Sequence, residues 1–399
     1  MTLEKTVDKK LPMPGNNLYY IYIDSKIEGT IDQLISYFQA DIFNADDCIC
    51  IYFKYYKDIE KYIKNRLGSQ RIKYKFIRKN SDLNFISHKV VFYLFNAQSN
   101  CKITARRDLT HIFVTHGESH KLASIKPIIR IYDFVITSGQ VGIERFLKAS
   151  IFNSYNIQHE HRVLTMGDTF IGQNAYVFAS DSQSLLYAPT WEGGVPEENY
   201  SSIGLQATKI LKHIIQQYGI KKLYIQPHPN LGHRDKEYLA HFKKMLNELK
   251  QSSLEIVVVK AQIKLADHWS YRGYTLISQS YKPKLKVAAA VTDISAMEMQ
   301  LINNKIPTLV LFDQDYLNRL IIPRRVQYLY ETTRSLQNFN VEAFSFSQQK
   351  DEIQKHDDYL IGYFEENLRL MSFRQRIQWL CGFAYENKIK NYRENLELY

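Results

Sequence analysis

Short apolar runs rich in Val, Ile, Tyr and Phe recur along this chain every few tens of residues, and amphipathic stretches with helical spacing separate many of them. A run of four to seven residues without polar alternation marks a strand buried on both faces. Such strands, joined by helices, build a parallel, doubly wound sheet. In the first part of the chain the runs are 18–23, 48–53, 72–77, 89–95, 111–115 and 133–138; a polar passage at 153–175 follows, and then 184–190, 221–226, 254–260, 285–291 and 308–312. The pattern predicts an α/β protein with two doubly wound Rossmann-like domains facing a cleft. The expected boundaries are 1–160 for the first domain and 161–350 for the second. C-terminal helices over 351–399, helical throughout, would brace the two. A chain of 399 residues divides naturally into two domains of ordinary size, and 45% hydrophobic content supplies both cores.

The first ten residues are polar and charged, and the most apolar windows are broken by Asp293 and Glu298 well short of the ~20 residues a bilayer span needs. The expectation is a protein without a leader or a spanning helix. Cys48, Cys50, Cys101 and Cys381 lack zinc-ligand spacing, and Cys48 and Cys50 are expected on one face of a strand, as small core residues in a reducing cytosol.

Charge is concentrated rather than spread. The formal net charge is +11, yet residues 51–150 alone carry 19 basic and 7 acidic side chains. Within them, Lys54 to Lys79 holds ten basic and two acidic residues. Ile59, Tyr62, Ile63 and Leu67 share one helical face, which leaves Lys57, Lys61, Lys64 and Arg66 largely toward solvent, and Lys73 and Lys75 alternate with Ile72, Tyr74 and Phe76 in the strand that follows. This is either a well-solvated face or a surface for a polyanion or an anionic leaflet. Most of the 29 Tyr and 21 Phe sit in strand runs where packing explains them, and no nucleic-acid-binding signature appears, so nucleic acid is not the expected partner.

The ends of the apolar runs carry the chemistry-bearing residues, where open α/β sheets place their ligands. "HGESHK" follows a first-domain strand, with His116, Gly117 and Lys121; "YAPTWEGG", "QPHPN" and "VTDISAMEMQ" follow or end strands in the second domain. These elements resemble, in order and spacing over about residues 111–315, the H-G-x-x-x-K, Y-A-P-T-[WF]-R, H-P and T-D-Y-S-S elements of the CDP-glycerol glycerophosphotransferase family. Those are peripheral membrane enzymes that build teichoic acids and related capsule polymers. The chain departs from that pattern at Glu192, where the family has arginine, and at Ile294 and Ala296.

The resemblance implies the GT-B fold. It also implies transfer of a glycerol-phosphate or other polyol-phosphate unit from CDP-glycerol to a hydroxyl of an anionic or lipid-linked glycan, with CMP released, by a priming or linker-building enzyme at the inner face of the plasma membrane. The first domain would bind acceptor and the second the nucleotide donor. His116 is the expected base and His228 the donor to phosphate oxygens. Gly117, Lys121, Pro189, Thr190, Trp191, Gly193, Gly194, Pro229, Arg234, Thr292, Asp293 and Ser295 are the expected phosphate surroundings, and Glu298 and Gln300 the reader of ribose or base. Arg234 and Lys121 are the candidates to replace the missing arginine. Thr292, Asp293 and Ser295 stand at a helix start, where free N–H groups attract phosphate, although capping alone would also explain Asp293 and Ser295. Lys57, Lys61, Lys64 and Lys73 would meet the acceptor or the membrane. The sequence requires no cofactor or divalent metal. Two other functions fit the same residues: a GT-B glycosyltransferase or sugar-nucleotide epimerase using a nucleotide sugar, and a non-catalytic polyanion-binding protein.

Overall fold

The computed structural model describes residues 17–68, 72–115, 118–261, 263–279 and 284–397. Seven parallel strands form the first sheet: β1 (Tyr19–Ile23), β2 (Cys48–Lys54), β3 (Tyr74–Ile77), β4 (Val90–Tyr93), β5 (Thr110–Phe113), β6 (Phe134–Thr137) and β7 (Val163–Thr165). Their order is β3-β2-β1-β4-β5-β6-β7. The strands β1, β4, β5, β6 and β7 are buried at every position, because helices cover both faces, and this is why the apolar runs show no alternation. The Lys57–Leu67 helix turns Ile59, Ile63 and Leu67 inward, each worth about 2 kcal/mol of apolar burial, and leaves Lys57, Lys61 and Lys64 exposed.

The second domain is built on strands β8 (Tyr176–Phe178), β9 (Ser184–Ala188), β10 (Lys222–Ile225), β11 (Glu255–Lys260), β12 (Thr275–Ser278), β13 (Leu285–Val287), β14 (Ala289–Asp293) and β15 (Thr308–Leu311). Six of them make a parallel sheet in the order β12-β11-β10-β9-β14-β15, and β13 pairs with β8 in a separate two-stranded sheet. The final helix, Phe373–Glu397, returns to the first domain: Ile377, Trp379, Leu380, Cys381 and Ala384 join the core of Tyr19, Ile21 and Leu34. Two doubly wound domains with a C-terminal helix are the GT-B architecture expected from the sequence.

Three local expectations are corrected. The run 285–291 is two strands in two sheets, broken at Ala288, whose N–H donates to Ser184 O; three successive alanines gave no periodicity from which to place the break. A register shift between Tyr19 and Tyr20 accommodates an extra residue in β2, so Cys48 packs with Ile51 and Phe53 on one face while Cys50 packs with Tyr52 on the other. The tail is not helical throughout. Around Gly362 it runs extended along the edge of the first sheet, where Gly167 N donates to Gly362 O and Phe364 N to Thr165 O, and Met166 bridges Tyr363. A Cβ at Gly362 would meet Asp358 O at 2.5 Å. The chain crosses back between domains here, and backbone pairing with the sheet edge outweighs helix propensity.

Candidate functional site

In a doubly wound sheet the crevice for a ligand opens where the strand order reverses, at the carboxyl ends of the two strands that flank the reversal. In the second sheet those strands are β9 and β14. "YAPT" leaves β9 and "TDIS" ends β14, so two of the elements read from the sequence flank this point from opposite sides.

Asp293 ties them together. It is fully buried, and its carboxylate accepts from the N–H of Thr190 at 2.6 Å, the N–H of Ser202 at 3.1 Å and the Ser202 hydroxyl. Burial pushes its pKa up to about 7 against these hydrogen bonds and the nearby Lys121 charge. Thr292, also fully buried, donates its hydroxyl to Ala188 O at 2.8 Å. Both side chains therefore spend their hydrogen bonds on the protein and shape the loop after β9. Ser295 differs. It is the N-cap of the Ala296–Asn303 helix, is 8% exposed, makes no capping bond, and its Oγ has no hydrogen-bond partner.

Lys121 reaches this corner from the first domain. Its ammonium donates to Thr190 Oγ1 at 3.0 Å and lies 5.5 Å from the centre of the Tyr200 ring. Burial lowers its pKa to about 8, against the pull of Asp293 and Glu198. His116 and Gly117 lie outside the described residues.

Glu192 joins the second pair of loops. Fully buried, it accepts from the N–H groups of Gly232 at 3.0 Å, Arg234 at 2.9 Å and Asp235 at 3.1 Å, which binds the loop after β10 to the loop after β9. Burial raises its pKa, but these N–H donors outweigh burial and hold it below the ordinary glutamate value. Arg234 completes the brace by donating to Gly193 O at 3.0 Å and Glu192 O at 2.9 Å. Its Nε and one terminal nitrogen are thus committed to carbonyls. Gly193 has φ +73° and a Cβ there would meet Glu198 O at 2.4 Å, whereas a Cβ at Gly194 would meet open space.

The brace presents His228. Its Nδ1 accepts from Asn230 N–H at 3.1 Å, which leaves the proton of the neutral ring on Nε2. The ring stacks on Trp191 with centroids 5.8 Å apart and planes 14° from parallel. Burial, and next the Lys121 charge, push the His228 pKa down to about 3, so the ring is a neutral donor at physiological pH.

Trp191, His228 and Pro229 line a cavity of about 740 Å³ between the domains. Lys260 at the end of β11 and Ala261 after it line the cavity from the second domain; Lys26, Glu28, Asp32, Asp58 and Tyr62 line it from the first. The first-domain wall carries three carboxylates, two of them already engaged. Asp32 accepts from Tyr62 OH at 2.8 Å and Arg66 Nε at 3.0 Å, and Glu28 pairs across the cleft with Lys264 at 3.6 Å.

The reader of ribose or base expected at Glu298 and Gln300 has a different setting. Glu298 is fully buried, with the Tyr330 hydroxyl 2.9 and 2.8 Å from its two oxygens, and Gln300 is half-buried. Burial raises the Glu298 pKa to about 7, opposed by Tyr330 and Arg145. Around it lies a polar seam between domains that the sequence reading missed: Glu118 pairs with the buried Arg145, and the buried His120 ring meets Tyr330 edge-on at 5.6 Å. The only signal was the density of polar residues in "HGESHK" directly after a buried strand. Of the expected acceptor lysines, Lys57, Lys61 and Lys73 are exposed, and Lys64 is ion-paired with Glu60 at 2.7 Å.

No protein-family model and no curated protein matches the chain. Among solved structures it is similar to the UDP-GlcNAc 2-epimerase of Neisseria meningitidis bound to UDP-GlcNAc, with 12% identity, 88% of this chain and 99% of that chain covered, and a TM-score of 0.43. It is also similar to a glycosyltransferase of Rickettsia africae ESF-5 (11% identity, 95% and 97% covered, TM-score 0.39). A third is MurG of Acinetobacter baumannii (9% identity, 94% and 100% covered, TM-score 0.36). The chemistry of the site rests on the residues themselves. Among the described residues no helix is long and apolar enough to cross a membrane.

Proposed function

We propose that this chain is a transferase that moves a polyol-phosphate unit from CDP-glycerol to a hydroxyl of an anionic or lipid-linked glycan, with release of CMP. The observation that carries the reading is the corner at the second sheet's reversal. There a helix begins with a buried, unpartnered Ser295 hydroxyl, beside a loop that meets the Lys121 ammonium. Free N–H groups, a free hydroxyl and a cation suit a diphosphate. In the reaction the acceptor oxygen bonds to the β-phosphorus, the bond from that phosphorus to the bridging oxygen breaks, and CMP leaves with the electron pair. His228 donates from Nε2 to phosphate oxygens as charge moves onto the leaving group. His116 takes the acceptor proton. Asp293, Thr292, Glu192 and Arg234 act as positioning residues for the loops.

One observation favours a second reading. The acidic first-domain wall of the cavity suits a neutral, hydroxyl-rich group, such as the sugar ring of a nucleotide sugar or an uncharged glycan acceptor, which a nucleotide-sugar transferase or epimerase would take. A donor panel decides: the purified protein is given CDP-glycerol, CDP-ribitol and UDP-sugars with a glycan acceptor, and free CMP and UDP are measured. CMP from CDP-glycerol, reduced at least about 100-fold in His228→Gln, supports the first reading. Turnover of UDP-sugars alone moves the assignment to the second, and no turnover of any donor leaves a binding protein.

A further inference from the structure

The short helix Leu265–Ser270 stands out from the second domain beside the cavity mouth. Of its six residues only Asp267 is buried, where it pairs with Lys260 at 2.5 Å and accepts from Lys264 N–H at 2.8 Å. Leu265 and Trp269, one helical turn apart on the same face, are 86% and 80% exposed. A single exposed leucine is ordinary, but an adjacent Leu–Trp pair held away from its own core is not.

We propose that this helix docks on an anionic phospholipid bilayer and holds the mouth of the interdomain cavity against the leaflet. Three features choose that occupant. First, the pair has the chemistry of an interfacial anchor: leucine enters the acyl boundary, and the amphipathic indole sits at headgroup depth. Second, the surroundings are cationic. Lys260 neutralises Asp267 and Lys264 lies 3.6 Å from Glu28, which leaves the exposed Arg272 and Lys250 with no acidic partner among the described residues, the Lys250 ammonium lying 5.6 Å from the centre of the Tyr274 ring. Leu370 is equally exposed, yet its neighbour Arg369 is bound by Asp358 and Glu366, so that spot is acidic and an anionic surface repels it. Third, the helix is continuous with the site: Lys260, Ala261, Lys264 and Tyr271 line the cavity, and the 46% exposed Ile27 stands on the opposite lip. The basic helix Lys57–Leu67 flanks the same cavity through Asp58 and Tyr62. It adds charge to the contact but offers no exposed apolar side chain to insert.

The inference deepens the proposal of a lipid-linked acceptor and rests on it for its purpose. Its test uses neither donor nor acceptor, so failure of the transfer reaction and failure of docking are read separately. Full-length protein is floated with phosphatidylcholine vesicles with and without phosphatidylglycerol. Wild type is expected to bind the anionic vesicles with a blue shift in tryptophan emission that Trp269→Phe removes. Leu265→Ser with Trp269→Ser should lower binding at least about tenfold with an unchanged melting temperature, since neither side chain is in a core. Lys264→Gln with Arg272→Gln should lower it in a salt-dependent way. Wild-type protein that stays off anionic vesicles overturns the proposal, as does a double variant at Leu265 and Trp269 that binds like wild type. So does a change in sedimentation of the apolar variant without vesicles, because the surface would then serve a second copy of this chain.

Discussion

The two walls of the interdomain cavity are built by opposite means. Behind the second-domain wall a buried carboxylate bonds to backbone, Glu192 taking three N–H groups of the lining loop, and Asp293 does the same with two N–H groups and a hydroxyl at the strand reversal. On the first-domain side, acids bond to side chains or stand in solvent: Asp32 to Tyr62 and Arg66, Glu28 to Lys264 across the gap, and Asp58 exposed in the first turn of its helix. A carboxylate that gathers backbone amides fixes the course of the chain, whereas a surface ion pair yields at little cost. The difference teaches which wall is pre-formed. The second-domain wall is the one able to hold a charged group in one place, and the first-domain wall adapts to what enters.

The largest test of that contrast is Glu192→Ala. It leaves three N–H groups without their acceptor, while the Arg234 side chain keeps its bonds to the Gly193 and Glu192 carbonyls. Each orphaned donor costs about 1–3 kcal/mol when buried, and water will reach some of them. Denaturant unfolding should show a loss of about 3 kcal/mol, and calorimetry a fall in donor affinity well beyond that of any single first-domain acid. A variant with wild-type stability would show that the wall does not depend on this brace.

The next effect is of opposite sign at two desolvated groups, the buried Glu298 and the half-buried His228. Glu298 has its pKa raised to about 7 in the folded protein, above its unfolded value of about 4.5. Its contribution is full below the unfolded pKa and is lost as pH rises toward 7. His228 has its pKa lowered to about 3, below an unfolded value of about 6.5. Its contribution is full above 6.5 and is lost as pH falls toward 3. Unfolding free energies across pH 3–8 should therefore separate the variants: Glu298→Gln flattens the loss between about 4.5 and 7, and His228→Gln flattens the loss on acidification below about 6.5. If both variants moved the same limb, the opposed environments of seam and cavity would be refuted.

Strand runs such as "YYIYI" and "EIVVVK" were legible because burial on both faces leaves no other composition open to them, and alternation of strands with helices then gave the two-domain fold. The break at Ala288 and the extended passage at Gly362 were not, since each depends on which sheet edge the chain meets far along the sequence. At the site, the strand-end position of "YAPT", "HPN" and "TDIS" was legible. The inward direction of Thr292, Asp293 and Glu298 was not, because a carboxyl at a helix start reads the same whether it faces a ligand or a loop. Glu192 was visible only as a departure from the arginine of the resembling family. Its partners at 232–235 lie 40 residues and more away, and no local pattern connects them.

The smallest expected effect is also the one whose sign separates the two functional readings. Asp58→Asn removes one negative charge from the first-domain wall without touching a core, and the exposed position in the first turn limits the stability change to about 0.5 kcal/mol through the helix dipole. Donor affinity should stay at the wild-type value, because the pre-formed wall is on the other side. An anionic acceptor is repelled by Asp58, so its KM should fall in the variant by about twofold at low salt and return toward wild type as salt screens the charge. A neutral, hydroxyl-rich ligand is instead held by carboxylate oxygens that accept from its hydroxyls, and asparagine keeps only one acceptor oxygen, so KM would rise and salt would matter little. Steady-state kinetics of this single variant at two ionic strengths gives both the sign and its salt dependence. A salt-independent rise would shift the acceptor from an anionic polymer to a neutral sugar while leaving the donor corner at Ser295 and Lys121 untouched.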